Sequence, residues 1–141
     1  MPFDPDLTRR TVLVAGAGGL GAVALVACSG GGGGGGGAPA TQPAGKPLIA
    51  LSDVPVGQAK AVTLPSGGPA VVARPTSSSV VCFSAVCTHE GCTVQVEGSQ
   101  LDCPCHGSQF NALTGAVLQG PAAQPLPAIP VKVSGTQVET A

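Results

Sequence analysis

Two short stretches decide the reading of this chain: Cys87-Thr88-His89-Glu90-Gly91-Cys92 and Cys103-Pro104-Cys105-His106-Gly107-Ser108. Both histidines of the protein, and five of its six cysteines, lie between Cys82 and His106. Each stretch carries one candidate ligand pair, Cys-x-His in the first and Cys-x-x-His in the second, and each carries one further cysteine. A hairpin of Thr93–Glu97 and Ser99–Asp102 would set the two loops side by side, with His89 and His106 facing the same way from their tips. Two cysteines and two histidines could bind zinc in a tetrahedral structural site. That zinc module leaves two cysteines over, and its spacings differ from the usual C-x2-C and H-x3-H. A purely disulfide framework leaves both histidines without a task.

Around the loops, no stretch from Pro47 onward sustains a helical period. Short β-branched runs alternate with turn residues, which predicts an all-β domain. The expected strands are Lys60–Leu64, Ala70–Ala73, Val80–Ala85, Thr93–Glu97, Ala116–Leu118, Pro130–Val133 and Gln137–Glu139. Val80 to Phe83 is apolar throughout and is expected to be a central strand. Along Thr93–Glu97, Val94 and Val96 point one way and their polar neighbours the other, as on a half-buried strand. Turns are expected at Ser66-Gly67-Gly68, Glu97-Gly98, Thr114-Gly115 and Ser134-Gly135. No internal repeat is apparent.

The first 46 residues read differently. Arg9-Arg10 precedes an uncharged stretch, Val12 to Ala27, that is short for a membrane span of about 20 apolar residues. A charged segment before a modest apolar one reads as an export signal, and paired arginines point to the twin-arginine route. The stretch ends in Leu25-Val26-Ala27-Cys28, a lipobox pattern that would place lipid on Cys28 and make residues 1–27 the removed signal. An uncleaved transmembrane anchor is the alternative, and either places the domain outside the cytoplasm on a membrane tether. Gly30 to Gly37 is an unbroken glycine run, and residues 28–46 are expected to be a flexible tether.

Composition excludes other classes. Of the 141 residues, 22 are Gly and 14 are Pro, against six Lys plus Arg, seven Asp plus Glu, three Phe and no Trp or Tyr. Helix bundles need runs of helix formers with few breakers. A nucleic-acid binder needs a basic surface that six scattered cations cannot build. A core so poor in aromatics calls for a staple.

The two loops resemble those of the Rieske iron–sulfur proteins, whose pattern is C-x-H-x-G-C followed by C-P-C-H-G-S. The resemblance covers residues 47–141 and implies a Rieske-like antiparallel β-sandwich with a two-loop cluster-binding subdomain holding one [2Fe–2S] cluster. Carried over by position, Cys87 and Cys103 bind one iron, and His89 and His106 bind the other. Cys92 and Cys105 then form a disulfide between the loops. Gly120 to Pro127 looks like the family's proline loop, which covers the cluster from the opposite side. With two thiolates the oxidised core is neutral, so adding an electron costs less than in a four-thiolate cluster. The outer histidine nitrogens exchange protons as the iron changes charge.

The disulfide persists best outside the reducing cytosol. Cluster insertion occurs in the cytoplasm and twin-arginine export carries folded cargo, so the features agree. Rieske ferredoxins of oxygenase systems usually lack the bridging pair, which disfavours that branch. Ser108 keeps the hydroxyl that in the family bonds a bridging sulfide. Phe110 stands where high-potential members have Tyr, and should lower the potential. Glu90 replaces an apolar residue; it reads either as a solvated loop side chain or as a carboxylate that disfavours an apolar quinone pocket and lowers the potential. Cys82 and Cys28 match no ligand position, and Cys82 is expected to be a buried apolar residue. The implied role is the iron–sulfur subunit of a quinol–cytochrome c oxidoreductase (the cytochrome bc complex), a redox subunit rather than a complete enzyme, between quinol or cytochrome b and cytochrome c. A stand-alone electron carrier, or the small subunit of another extracytoplasmic oxidoreductase of arsenite-oxidase type, is the alternative.

Overall fold

The computed structural model describes residues 41–141. The signal, Cys28 and most of the expected tether lie outside the described residues.

Strands are the main regular structure of the described chain. In order they are β1 (Pro47–Ala50), β2 (Gln58–Thr63), β3 (Pro69–Thr76), β4 (Ser79–Ser84), β5 (Gln95–Glu97), β6 (Gln100–Asp102), β7 (Gln109–Asn111), β8 (Val117–Gln119), β9 (Val131–Ser134) and β10 (Gln137–Thr140), with one 3-10 turn at Leu51–Asp53. They form three antiparallel sheets, ordered β1-β10-β9, β2-β3-β4 and β5-β6-β7-β8. The expected all-β fold is therefore what the chain adopts. Among the described residues, no helix is long and apolar enough to cross a membrane.

The β2-β3-β4 sheet is the wall between two cores. From β3 and β4, Val71, Ala73 and Phe83 enter one core together with Cys87, Leu101, Cys103 and Phe110. Ala70, Val72 and Cys82 enter the other, with Val54, Leu64, Ile129 and Val138. Because both faces of β3 and β4 are covered here, their central residues are apolar at successive positions rather than at alternate ones. That explains the unbroken apolar run in β4, and it corrects the expectation of a central strand. β3 occupies the centre and β4 the flank of the sheet order. The outer edge of β4 is covered by irregular chain: Ser84 N donates to Pro127 O, and Ile129 N to Cys82 O, both at 2.8 Å.

β1 and β7 were not expected from the sequence. β1 is exposed or half-buried along its length, and β7 is only three residues long. Neither carries enough alternation to declare itself, and pairing partners decide both. Near the start of the described chain, Thr140 Oγ1 donates to Pro43 O at 2.6 Å and Gly45 N to Thr140 O at 2.8 Å. Thr140 is buried, and these bonds fasten residues 43–46 to β10.

Candidate metal centre

The β5–β6 hairpin joins the two cysteine–histidine loops, as its sequence suggests. Gln95, Val96 and Glu97 pair with Asp102, Leu101 and Gln100. The first loop enters β5 and the second leaves β6, so both emerge from the same end of the hairpin.

The loops share one backbone design, an internal repeat that the sequence reading missed. In the first, Cys87 N donates to Cys92 O at 2.7 Å and Gly91 N donates back to Cys87 O at 2.9 Å. In the second, Cys103 N donates to Ser108 O at 2.8 Å and Gly107 N to Cys103 O at 3.0 Å. Each ring closes only if the fifth residue turns left-handed, and Gly91 and Gly107 have φ of 81° and 74°. Glycine takes that conformation without steric cost. The available signal was Cys-x3-Gly in both loops, which the differing ligand spacing disguised.

This design separates the side chains by burial. Cys87 and Cys103, at the loop roots, are buried, while His89 and His106 are exposed. The two imidazole rings meet edge to face with centroids 5.0 Å apart. Cys92 and Cys105 form a disulfide. Closing a chain loop of that length (sequence separation 13) removes unfolded-state entropy worth about 3 kcal/mol. The bridge also ties loop to loop where no other core could. Its two sulfurs and that of Cys103 lie within 4.8 Å of one another.

The segment Gly120–Pro127 packs over both loops. Thr88 Oγ1 donates to Gln124 O at 2.6 Å, and Ala122 N donates to Ser108 Oγ at 2.9 Å. Gln119 Nε2 reaches Gly107 O at 3.3 Å, and Leu126 N donates to Gly115 O at 2.9 Å. Ser108 is fully buried and its hydroxyl proton is still available to donate. Thr88 was overlooked in the sequence, where it is only the variable residue of Cys-x-His. Phe110, fully buried, sits in the same core as Cys87 and Cys103.

Glu90 lies at the tip. Its carboxylate is 3.6 Å from His106 Nε2 and 3.9 Å from His89 Nε2, with 60% of the side chain exposed. Cys82 takes no part. It faces the other core, and burial pushes its thiol up to about 12.

The donor set fits a mixed-ligand iron–sulfur centre. With Cys92 and Cys105 bridged, the loops offer two free buried cysteines and two exposed imidazoles, which is the complement that a Rieske cluster takes. The model of the Rieske [2Fe-2S] domain matches residues 46–130. The chain belongs to the Rieske [2Fe-2S] family. Its cofactor is one [2Fe–2S] cluster.

Among Rieske relatives, it is 31% identical to the cytochrome b6-f complex iron-sulfur subunit of Chlorobaculum thiosulfatiphilum, over 94% of this chain and 75% of that one. It is 40% identical to the putative Rieske 2Fe-2S iron-sulfur protein YhfW of Bacillus subtilis over 57% of this chain, but spans only 16% of that protein's length. Among solved structures, the cyanobacterial plasma membrane Rieske protein PetC3 of Synechocystis PCC 6803 superposes with a TM-score of 0.51 at 34% identity. That match covers 57% of this chain and 85% of the other.

Proposed function

We propose that the protein is a membrane-tethered Rieske electron-transfer subunit, the iron–sulfur component of a respiratory quinol–cytochrome c oxidoreductase of cytochrome bc type. The observation that carries this reading is the likeness to the Chlorobaculum complex subunit over 94% of the chain. The twin-arginine pair, the lipobox at Cys28 and the glycine run supply a route across the membrane and an anchor on its far side.

In this reading Cys87 and Cys103 hold one iron from the buried loop roots, and His89 and His106 hold the other from the tips. Bound there, the cluster supplies a one-electron couple at the raised potential of histidine ligation. The chain's own residues set its surroundings. Buried loop roots keep water from the cysteine side, and exposed imidazoles shorten the path to a partner. Ser108 and Thr88 hold the Gly120–Pro127 segment against the loops. Second-layer bonds of this kind fix ligand orientation and tune the metal.

A second reading, a stand-alone extracytoplasmic carrier or the small subunit of another oxidoreductase, is favoured by one observation. The Glu90 carboxylate lies beside both outward histidine nitrogens, where a quinol pocket would be apolar. Two measurements decide. Purified protein reduced with dithionite should give a Rieske-type electron paramagnetic resonance signal; zinc in its place would refute both readings. Solubilised membranes should then yield the protein together with a b-type cytochrome. Recovery without cytochrome b would select the free carrier.

A further inference from the structure

We propose that Glu90 makes the tip of the two loops a docking surface for a redox protein whose contact face is basic, with a Lys or Arg of that partner set against the carboxylate. The inference rests on the electron-transfer reading above and adds to it the chemistry of the partner.

Charge is divided unevenly over the described residues. Their Lys and Arg residues are Lys46, Lys60, Arg74 and Lys132, and all four stand outside the segment 75–131. That segment contains both cysteine–histidine loops, the hairpin between them and the covering segment. Its charged residues are Glu90, Glu97 and Asp102, three acids and no cation, for a formal charge of −3. The other acids of the described chain, Asp53 and Glu139, share the remainder with the four cations. The part of the fold that presents the histidines is therefore negative and the part behind it positive.

Of the three acids, Glu90 alone is at the tip. Glu97 ends β5 at the turn of the hairpin, away from the loops, and Asp102 is half-buried. The Glu90 side chain is 60% exposed, and among the described residues no Lys or Arg forms an ion pair with it. The exposed surface nearby in the loops and the covering segment is uncharged, with Pro104, Gly107, Ala123 and Pro125 on it. A partner that covered this surface with an acidic or wholly apolar face would strip water from the carboxylate and put nothing in its place. A basic face replaces the water with a charge-assisted hydrogen bond. Charges so placed govern the rate of encounter and the choice of partner. The mount is already rigid: the disulfide joins the two loops, and the bond from Gly91 N to Cys87 O closes the turn that carries Glu90. Holding the carboxylate against a partner therefore costs little further backbone entropy.

The test mixes the full, cluster-loaded, reduced protein with ferric cytochrome c in a stopped-flow instrument. The cytochrome is used in two forms, native with its lysine-rich face and succinylated with those charges reversed. One electron passes in each case, reducing the haem iron and oxidising this protein. At roughly 0.01 M salt, where charges are screened over about 30 Å, the native form should be reduced about tenfold faster than the succinylated one. Near 1 M salt, where screening acts within about 3 Å, the two rates should converge. Glu90→Gln should cut the low-salt ratio of the two rates about threefold. Glu97→Gln removes the same charge far from the tip and should leave that ratio nearly unchanged. A shift in this protein's own potential moves both rates together, so the ratio isolates docking. As a second reading, carbodiimide coupling followed by peptide mass mapping should join cytochrome lysines to Glu90 in preference to Glu97. The inference is overturned if the parent reduces both forms equally at low salt, if Glu90→Gln keeps the parent ratio, or if Glu97 is coupled as readily as Glu90. A reduced protein without a Rieske-type resonance signal would instead refute the electron-transfer reading itself.

Discussion

The Ser108 hydroxyl accepts a hydrogen bond from Ala122 N at 2.9 Å, joining the second cysteine–histidine loop to the segment that covers it. Both residues are buried, so neither group has water as an alternative partner. The bond spans 14 residues of chain and leaves the hydroxyl proton free to donate.

Removing that hydroxyl should therefore act twice. Ser108→Ala strands a buried N–H, which costs about 1–3 kcal/mol. If, as proposed, the Ser108 hydroxyl donates to the cluster, the change also removes that donor, and the midpoint potential should fall. Urea denaturation and redox titration of the same preparation check both parts. Unchanged stability would show that Ala122 N finds another partner.

Phe110 is fully buried in the core that contains Cys87 and Cys103. Phe110→Tyr should raise the midpoint potential, because a hydroxyl donating to a cysteine sulfur stabilises the more negative, reduced state. A net hydrogen-bond difference of about 1 kcal/mol corresponds to roughly 40 mV for one electron. Protein-film voltammetry reads the shift directly, and a lower potential would refute the bond.

Gly115 combines a left-handed backbone, φ 71°, with a tight contact: an added Cβ would lie 2.9 Å from Phe83 Cδ1. Phe83 is a buried ring in the wall between the cores and cannot swing aside. Gly115→Ala should cost about 2–4 kcal/mol, from overpacking together with the left-handed penalty. Thermal unfolding of the holoprotein measures it. A loss under about 1 kcal/mol would mean the β7–β8 turn relaxes.

The Cys82 thiol, ordinarily ionising at 9.0, is pushed up to about 12 by burial. Below pH 9 it is protonated in both folded and unfolded chains and adds no pH dependence. Between these values the unfolded chain gives up the proton first, so stability falls as pH rises. Cys82→Val should flatten part of that alkaline decline. Denaturation midpoints of the two proteins at pH 8, 9.5 and 11 test the difference, and parallel curves would contradict it.

The two boxes of the sequence carried the family resemblance, and that resemblance implied the cofactor and the disulfide pair. Ligand chemistry demands particular residue types at short spacing, and the two boxes state it openly. Alternation and turn residues were also enough for the all-β class, since they report on local geometry. Only the tertiary structure decided what depends on distant partners. That β4 flanks its sheet could not be read from an apolar run, because burial on both faces produces the same pattern as a central position. The matching backbone of the two loops lay hidden behind different ligand spacings. The bonds from Thr88 and Ser108 to the covering segment, and the position of Glu90 between two histidines, join residues that only folding brings together.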